Sequence, residues 1–306
     1  MIVQKIILKK DKVQITHDTY LHPKTNPLVF KFSPAINPEI NERSAQTQKK
    51  CLFIDHKPIF FMDHFFNQEE LISLRNYSLS ASFSNNIYGS TESISDGEIP
   101  AKAMNSQERW HFFTNPPLAV NQLFHWLSHL AAKLNVEIMT LPWELSNDTT
   151  NSPAIATNFL YQMSTTSSQL GIHKDYEPEK LIPFAIPQLY NSSATHFANQ
   201  FINGAAGHPW MVTIMLYAAH ENFEPGYGMG TLFYDDNKQL KHRVDCQHGR
   251  IVLFEGDIFH SIEPSFAPPS GEIWRLSYVF KLIFNPNSNA SSVRSSFTKS
   301  LEELTT

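Results

Sequence analysis

The sequence has little cysteine and no excess of basic residues. Only Cys51 and Cys246 occur in 306 residues, and nothing requires them to pair, which suits a reducing compartment. Lysine and arginine number 24 against 29 aspartates and glutamates, for a formal net charge of −5. Because nucleic-acid binding relies on a basic surface, this balance argues against nucleic acid as a partner.

Long apolar runs are also missing. No segment approaches the roughly 18 apolar residues that a membrane helix needs. The N-terminal residues, MIVQKIILKKDKVQI, alternate apolar and basic side chains and lack the apolar centre of a secretory signal. We therefore expect a cytoplasmic protein without a membrane partner.

Core-forming residues, in contrast, are plentiful. Hydrophobic residues make up 42% of the chain and include 23 phenylalanines, enough for a sizeable core in one large domain or two. We expect an N-terminal β hairpin and polar loop (1–50), a supporting region of strands and helices (51–153), a core (154–285) with an insertion (177–210), and a flexible tail (286–306). Within that tail, the segment FTKSLEEL can form a terminal helix.

Two helices are predicted in the supporting region. Asn67 is a suitable N-cap for the first, with Glu70 three residues later as its capping-box partner. A proline pair opens the second, in which leucines recur at helical spacing: Leu123, Leu127, Leu130 and Leu134. His125 and His129 share a face of this helix, but the glutamate of a zinc-binding HExxH motif is missing between them, so we interpret them as structural.

The second half of the sequence reads as short strands separated by turn signals every 8–12 residues. The strongest is MVTIMLYAAH (Met211–His220), which is β-branched and almost continuously apolar, as in a strand buried between two layers. This spacing predicts an α+β protein with a double-stranded β-helix, or jelly-roll, core.

Candidate metal ligands lie in two of these strand-like stretches. In LGIHKDY, His173 and Asp175 are two residues apart, so an extended backbone places both side chains on one face. GRIVLFEGDIFH ends in a second imidazole, His260. Two histidines and one carboxylate on one side of a metal form the facial triad of non-haem Fe(II) oxygenases.

A strand after the second histidine, WRLSYVF, carries Arg275 and Ser277 on one face. An arginine that points into a barrel needs a counter-charge, because burying a lone cation is costly. A bound dicarboxylate would supply that charge. A salt bridge to Glu255 or Asp257 is the structural alternative.

The order of these motifs resembles the Fe(II)/2-oxoglutarate-dependent dioxygenases, particularly their prolyl-hydroxylase-like branch, over roughly residues 155–284. The resemblance implies that His173, Asp175 and His260 are the catalytic metal ligands. It also implies 2-oxoglutarate and O2 as cosubstrates, with release of succinate and CO2. Arg275 would then bind the distal carboxylate, with hydrogen bonds from Ser277 and Tyr161.

Two other functions fit parts of the sequence. A cupin-like ligand-binding barrel without redox chemistry would need a second histidine where Asp175 stands. A protein-interaction module could use the insertion at 177–210, which we otherwise expect to form a lid with a short helix near Ser193–Phe201. The substrate of an oxygenase would be a protein side chain or a small molecule that the sequence does not identify.

Overall fold

The computed structural model describes residues 2–9, 12–19, 29–80, 83–84, 102–104, 112, 115–140, 158–164, 171–176, 203–219, 223–267, 274–287 and 292–302. Within them lie four helices: α1 (Pro38–Ala45), α2 (Gln68–Ser80), α3 (Leu118–Leu134) and α4 (Val293–Glu302). The strands in the same residues are β1 (Ile2–Lys9), β2 (Lys12–Thr19), β3 (Val29–Phe32), β4 (Gln48–Ile54), β5 (Lys57–Asp63), β6 (Phe83–Ser84), β7 (Lys102–Met104), β8 (Val136–Thr140), β9 (Asn158–Ser164), β10 (Trp210–Tyr217), β11 (Thr231–Tyr234), β12 (Leu240–Val244), β13 (Ile251–Glu255), β14 (Phe259–Ile262) and β15 (Trp274–Pro286).

These strands form one large sheet and one small sheet. The large sheet runs β2-β1-β3-β8-β15-β10-β13-β5-β4, with β9 also paired to β15 and continued by β7 and β6. The small sheet runs β12-β11-β14. Only β1 and β3 pair in parallel among these strands. The fold is thus a mixture of helices and mostly antiparallel sheets, and the supporting strands β5 and β8 share a sheet with the predicted core.

The long strand β15 separates the hydrophobic core from a cavity. Its side chains alternate between two faces, as the pleat of a strand requires. One face packs into the core through Leu276, Tyr278, Phe280, Leu282 and Phe284. The other face carries Arg275, Ser277, Val279 and Lys281, which line the cavity. Strand β10 lies alongside with all eight residues buried, as its apolar sequence predicted.

Helices α2 and α3 confirm the predicted helical signals. Asn67 N donates to Glu70 Oε2 at 2.9 Å while Glu70 N donates to Asn67 Oδ1 at 2.9 Å, so the capping box forms. In α3 both His125 and His129 are buried, and Asn37 N donates to His129 Nδ1 at 3.2 Å. Neither histidine belongs to a cluster of metal-ligating side chains in the part of the chain described.

The prediction of a polar loop up to residue 50 is wrong for its second half, where a helix and the start of a strand form. Helix α1 forms there because Asn37 Oδ1 accepts hydrogen bonds from Glu39 N and Ile40 N, and a proline follows at the first helical position. Ile40 is completely buried and anchors the helix. Strand β4 then begins at Gln48, ahead of the apolar run in which order was expected to resume.

In the tail expected over 286–306, the terminal helix that the sequence allowed forms as α4. Val293 and Phe297 are buried on one side of this helix. The Phe297 ring lies 5.1 Å from Trp210 and 5.8 Å from Phe60 between ring centroids. Two apolar side chains at i and i+4 therefore hold an otherwise polar helix against the sheet.

Some expectations fall outside the described residues. They are most of the insertion (177–202) with its expected helix, and the side chain of Tyr161. Of the helices described, none combines the length and hydropathy required of a transmembrane segment.

Candidate functional site

The structure brings His173, Asp175 and His260 together. One potential ligand atom from each residue lies within 4.8 Å of the others. A backbone bridge fixes the two histidines, since His173 N donates to His260 O at 3.0 Å and His260 N donates to His173 O at 2.9 Å. Two segments almost ninety residues apart in sequence thereby present one cluster.

A second set of backbone contacts positions Asp175. Its amide and that of Tyr176 both donate to Gly256 O, at 2.8 and 2.7 Å. Gly256 N in turn donates to Met211 O at 2.9 Å. A Cβ at position 256 would stand 3.1 Å from Tyr176 Cβ, so glycine permits this close approach.

Both imidazoles are oriented through their Nδ1 atoms. His173 Nδ1 lies 2.8 Å from Gly171 O, and His260 Nδ1 lies 3.0 Å from Ile258 O. Because a carbonyl only accepts, each Nδ1 carries the proton and each Nε2 has a free lone pair. The Nε2 atoms face Asp175, at 3.8 Å from Oδ1 for His173 and 3.5 Å from Oδ2 for His260.

The neighbours of the cluster set its charge state. Burial alone would raise the pKa of the Asp175 carboxyl, but Lys281, followed by the two histidines, holds that pKa well below its usual range. Burial lowers the pKa of His260 to about 3, against the opposing effect of Asp175. At neutral pH the carboxylate is ionised and this imidazole neutral, which are the states that bind metals.

This donor set fits a first-row divalent metal ion. Two imidazole nitrogens and one carboxylate oxygen match the facial triad of non-haem Fe(II) sites. A metal ion held by only three protein ligands would have room for further ligands. The geometry therefore supports a metal centre that is suited to chemistry rather than to structure alone.

Arg275 lies in the same cavity and is 1% exposed. Its Nε donates to Met229 O at 2.9 Å and one terminal nitrogen donates to Ser277 Oγ at 3.0 Å. The guanidinium carbon stands 5.0 Å from the centroid of the Tyr217 ring. All these contacts are neutral, and no carboxylate pairs with Arg275 in the described part of the chain.

The alternative of a salt bridge from Arg275 to Glu255 or Asp257 is wrong. Glu255 pairs with Arg294 at 2.6 Å, and Asp257 pairs with Lys57 at 2.9 Å. Both carboxylates are committed to other cations. Among the described residues Arg275 is therefore a buried cation without a carboxylate partner, and an anionic ligand would supply the missing counter-charge.

Ser277 and Tyr161 were expected to assist Arg275, and the structure describes the side chain of Ser277 only. Ser277 lines the cavity and accepts the arginine's hydrogen bond. Tyr161 lies opposite Ser277 in the register of β9 and β15. Its strand position is therefore adjacent to the cavity-lining strand, and the role of its side chain stays a prediction.

Sequence reasoning missed two polar residues of the site, Lys281 and Thr213. Thr213 Oγ1 donates to Asp175 Oδ2 at 2.6 Å, and Lys281 Nζ forms an ion pair with the same oxygen. Each had a signal. Lys281 continues the same-face series that begins at Arg275, and Thr213 is a polar residue within an otherwise apolar buried strand.

No family model and no curated protein matches the sequence. Among solved structures, the chain is similar to a prolyl hydroxylase from Trichoplax adhaerens in complex with a hypoxia inducible factor oxygen degradation domain peptide fragment. The identity is 13%, with a TM-score of 0.39, over 74% of this chain and 83% of that one. A Pseudomonas putida prolyl-4-hydroxylase is 11% identical over 81% of this chain and 98% of that one, with a TM-score of 0.34.

EctD from S. alaskensis, solved with bound Fe, is 12% identical over 90% of this chain and 87% of that one, with a TM-score of 0.43. The cluster of two histidines and one aspartate that the sequence predicted forms in the structure. TM-scores below 0.5 say nothing of function, so the proposal below rests on the site.

Proposed function

We propose that this protein is an Fe(II)- and 2-oxoglutarate-dependent oxygenase that hydroxylates a protein side chain or a small molecule. One observation carries the proposal. A single cavity is lined both by the cluster of His173, Asp175 and His260 and by Arg275, a buried cation without a carboxylate partner among the described residues. A metal centre and an anion receptor in one cavity are what a cosubstrate that chelates a metal and carries a distal carboxylate requires.

The proposed core is a double-stranded β-helix whose two sheets enclose this cavity. Strands β10, β13 and β15 of the large sheet contribute Thr213, Phe254 and Arg275 to its lining. Strands β11 and β14 of the small sheet contribute Thr231 and His260. Antiparallel sheets that face each other around a ligand cavity support this architecture.

The residues of the chain would divide the work as follows. His173, Asp175 and His260 would hold Fe(II). When bound, the iron supplies the redox chemistry that couples O2 reduction to oxidative decarboxylation of 2-oxoglutarate and to substrate hydroxylation, with release of succinate and CO2. Arg275 and Ser277 would bind the distal carboxylate, with Tyr161 as a further candidate donor.

Other residues of the cavity would orient the ligands and exclude water. Thr213 holds one oxygen of Asp175 through its hydroxyl hydrogen bond. Phe254, Ile262 and Val279 give the cavity apolar walls. Apolar walls keep water away from a metal-bound cosubstrate and strengthen the electrostatic contacts inside.

The test measures iron stoichiometry and succinate formation in three variants: His173→Ala, Asp175→Ala and His260→Ala. The wild-type protein, reconstituted anaerobically with Fe(II), should bind one equivalent and release succinate from 2-oxoglutarate in the presence of O2. Each variant should lose metal while keeping its circular dichroism spectrum, because a three-ligand site cannot spare a ligand.

His242→Ala is the matched control, since this histidine contacts Phe53 O and does not line the cavity. Its metal content should equal that of the wild type. Unchanged iron stoichiometry in one of the three ligand variants would remove that residue from the site. A wild-type protein that binds no divalent metal would overturn the proposed function as a whole.

A further inference from the structure

The metal centre contains a cation of its own. Lys281 Nζ forms an ion pair with Asp175 Oδ2, and the lysine side chain is only 12% exposed. Lys281 is also close enough to His260 to lower the pKa of its imidazole. The carboxylate that would bind a metal therefore already has a counter-charge.

The position of Lys281 follows from the register of the sheet. Lys281 on β15 stands directly opposite Thr213 on β10 in an antiparallel pair. Side chains of such a pair lie side by side, and here both reach the same oxygen of Asp175. Lys281 is thus held in place by the strand pairing rather than by a mobile loop.

A cation at this place has a definite electrostatic consequence. A divalent ion entering among the three ligands would meet a like charge at short range in a partly buried site, where Coulomb interactions are screened weakly. The same ammonium also neutralises the negative charge of the carboxylate that would bind the metal. Both effects act against metal binding.

We propose that Lys281 is a built-in competitor of the divalent metal, which neutralises Asp175 and thereby lowers the metal affinity of the site. The inference rests on the proposed metal centre but assigns a role to a residue outside its three ligands. Lys281 acts through the charge of Asp175 and is not itself a ligand.

A purely structural role makes the opposite prediction. If Lys281 only holds Asp175 in its ligating orientation, its removal should weaken metal binding, as losses of groups that orient metal ligands do by roughly 10–100-fold. A competitor predicts tighter binding. The sign of the change in metal affinity therefore separates the two roles.

The experiment measures the Kd for Mn(II) by electron paramagnetic resonance of the free ion, so it needs no substrate and no turnover. We expect Lys281→Met to bind Mn(II) ~10- to 100-fold more tightly than the wild type. Lys281→Arg keeps the charge and should show no such gain. Lys31→Met is the matched control, since Lys31 pairs with Glu137 and does not line the cavity.

Thermal unfolding gives a second readout. The metal-free Lys281→Met protein should melt below the metal-free wild type, because Asp175 loses its counter-charge, and Mn(II) should raise its Tm by more. Lys281→Gln, which keeps a hydrogen-bond donor, serves if the methionine variant does not fold. Unchanged or weaker Mn(II) binding in the folded variant overturns this inference, whereas a wild type that binds no Mn(II) overturns the proposed function instead.

Discussion

Replacing Arg275 tests whether the cavity binds a dicarboxylate. Arg275→Ala removes a guanidinium that is 1% exposed and whose contacts in the described structure are all neutral. A ligand carboxylate would lose a charge-assisted, two-pronged contact in a desolvated pocket. Such a loss costs on the order of 2–5 kcal/mol, or roughly 30- to several-thousand-fold in affinity.

The assay is calorimetric titration of the Mn(II)-loaded protein with N-oxalylglycine, a dicarboxylate that mimics 2-oxoglutarate. Arg275→Ala should keep its Mn(II) affinity, because Arg275 is not among the clustered metal ligands. Arg275→Lys should recover only part of the dicarboxylate affinity, since an ammonium cannot reproduce the planar fork. The melting temperature should fall through the loss of neutral hydrogen bonds alone, because no carboxylate among the described residues pairs with Arg275.

Arg250→Ala provides the contrast. This arginine contacts Asp63 through two nitrogens at 2.7 and 2.8 Å and does not line the cavity. Its loss should lower the melting temperature and leave dicarboxylate binding unchanged. If Arg275→Ala behaved like Arg250→Ala, the guanidinium would be a structural donor, and the main reason to assign 2-oxoglutarate to this cavity would be gone.

Two further predictions concern stability. Arg294→Met removes the ion-pair partner of the fully buried Glu255 carboxyl, whose pKa is raised to about 8 by burial and by Asp257, so this carboxyl can take up a proton instead of staying charged. The loss in urea unfolding should therefore be roughly 1–3 kcal/mol, and Glu255→Gln in the same background should recover most of it. An unchanged midpoint in Arg294→Met would show that this pair does not hold α4. Burial, followed by the charge of Arg75, lowers the pKa of His248 in the folded protein to about 4, below its unfolded value. The neutral imidazole therefore contributes fully to the free energy of unfolding above pH ~6.5, and this contribution is lost as the pH falls toward 4. The wild type should therefore lose roughly 1–2 kcal/mol more than His248→Gln between pH 7 and pH 5, and parallel pH curves would contradict the assignment.

The elements that the sequence predicted are those whose signal is local. Strand β10 is a continuous apolar run, and α3 carries leucines at helical spacing. Helix α1 was missed, and α4 was predicted only as one option within a flexible tail, because their anchors, Ile40 and Phe297, are single apolar residues in polar segments. What fixes them is contact with distant parts of the chain, such as Trp210 and Phe60, and local composition does not report such contacts.

The same distinction holds within the site. The spacing of His173 and Asp175 reports a shared face directly. Lys281 could be placed on the face of Arg275, but its contact with Asp175 depends on the register of β10 against β15 and on the backbone bridge between the histidines. Glu255 and Asp257 were the carboxylates proposed as alternative partners of Arg275, but they pair with Arg294 and Lys57.

The net charge of the cavity couples the binding of a metal ion to the binding of an anion. Apart from the two imidazoles, the charged groups of the lining are Asp175, Arg275 and Lys281, which sum to one net positive charge. A divalent metal alone would raise that charge to three, and a dianion alone would reverse its sign. Metal and dianion together leave it as it was. In a desolvated cavity the ligand pair is therefore favoured over either ligand singly, so each should increase the affinity for the other. A cavity with this lining suits a cosubstrate that arrives as a dianion and binds the metal itself.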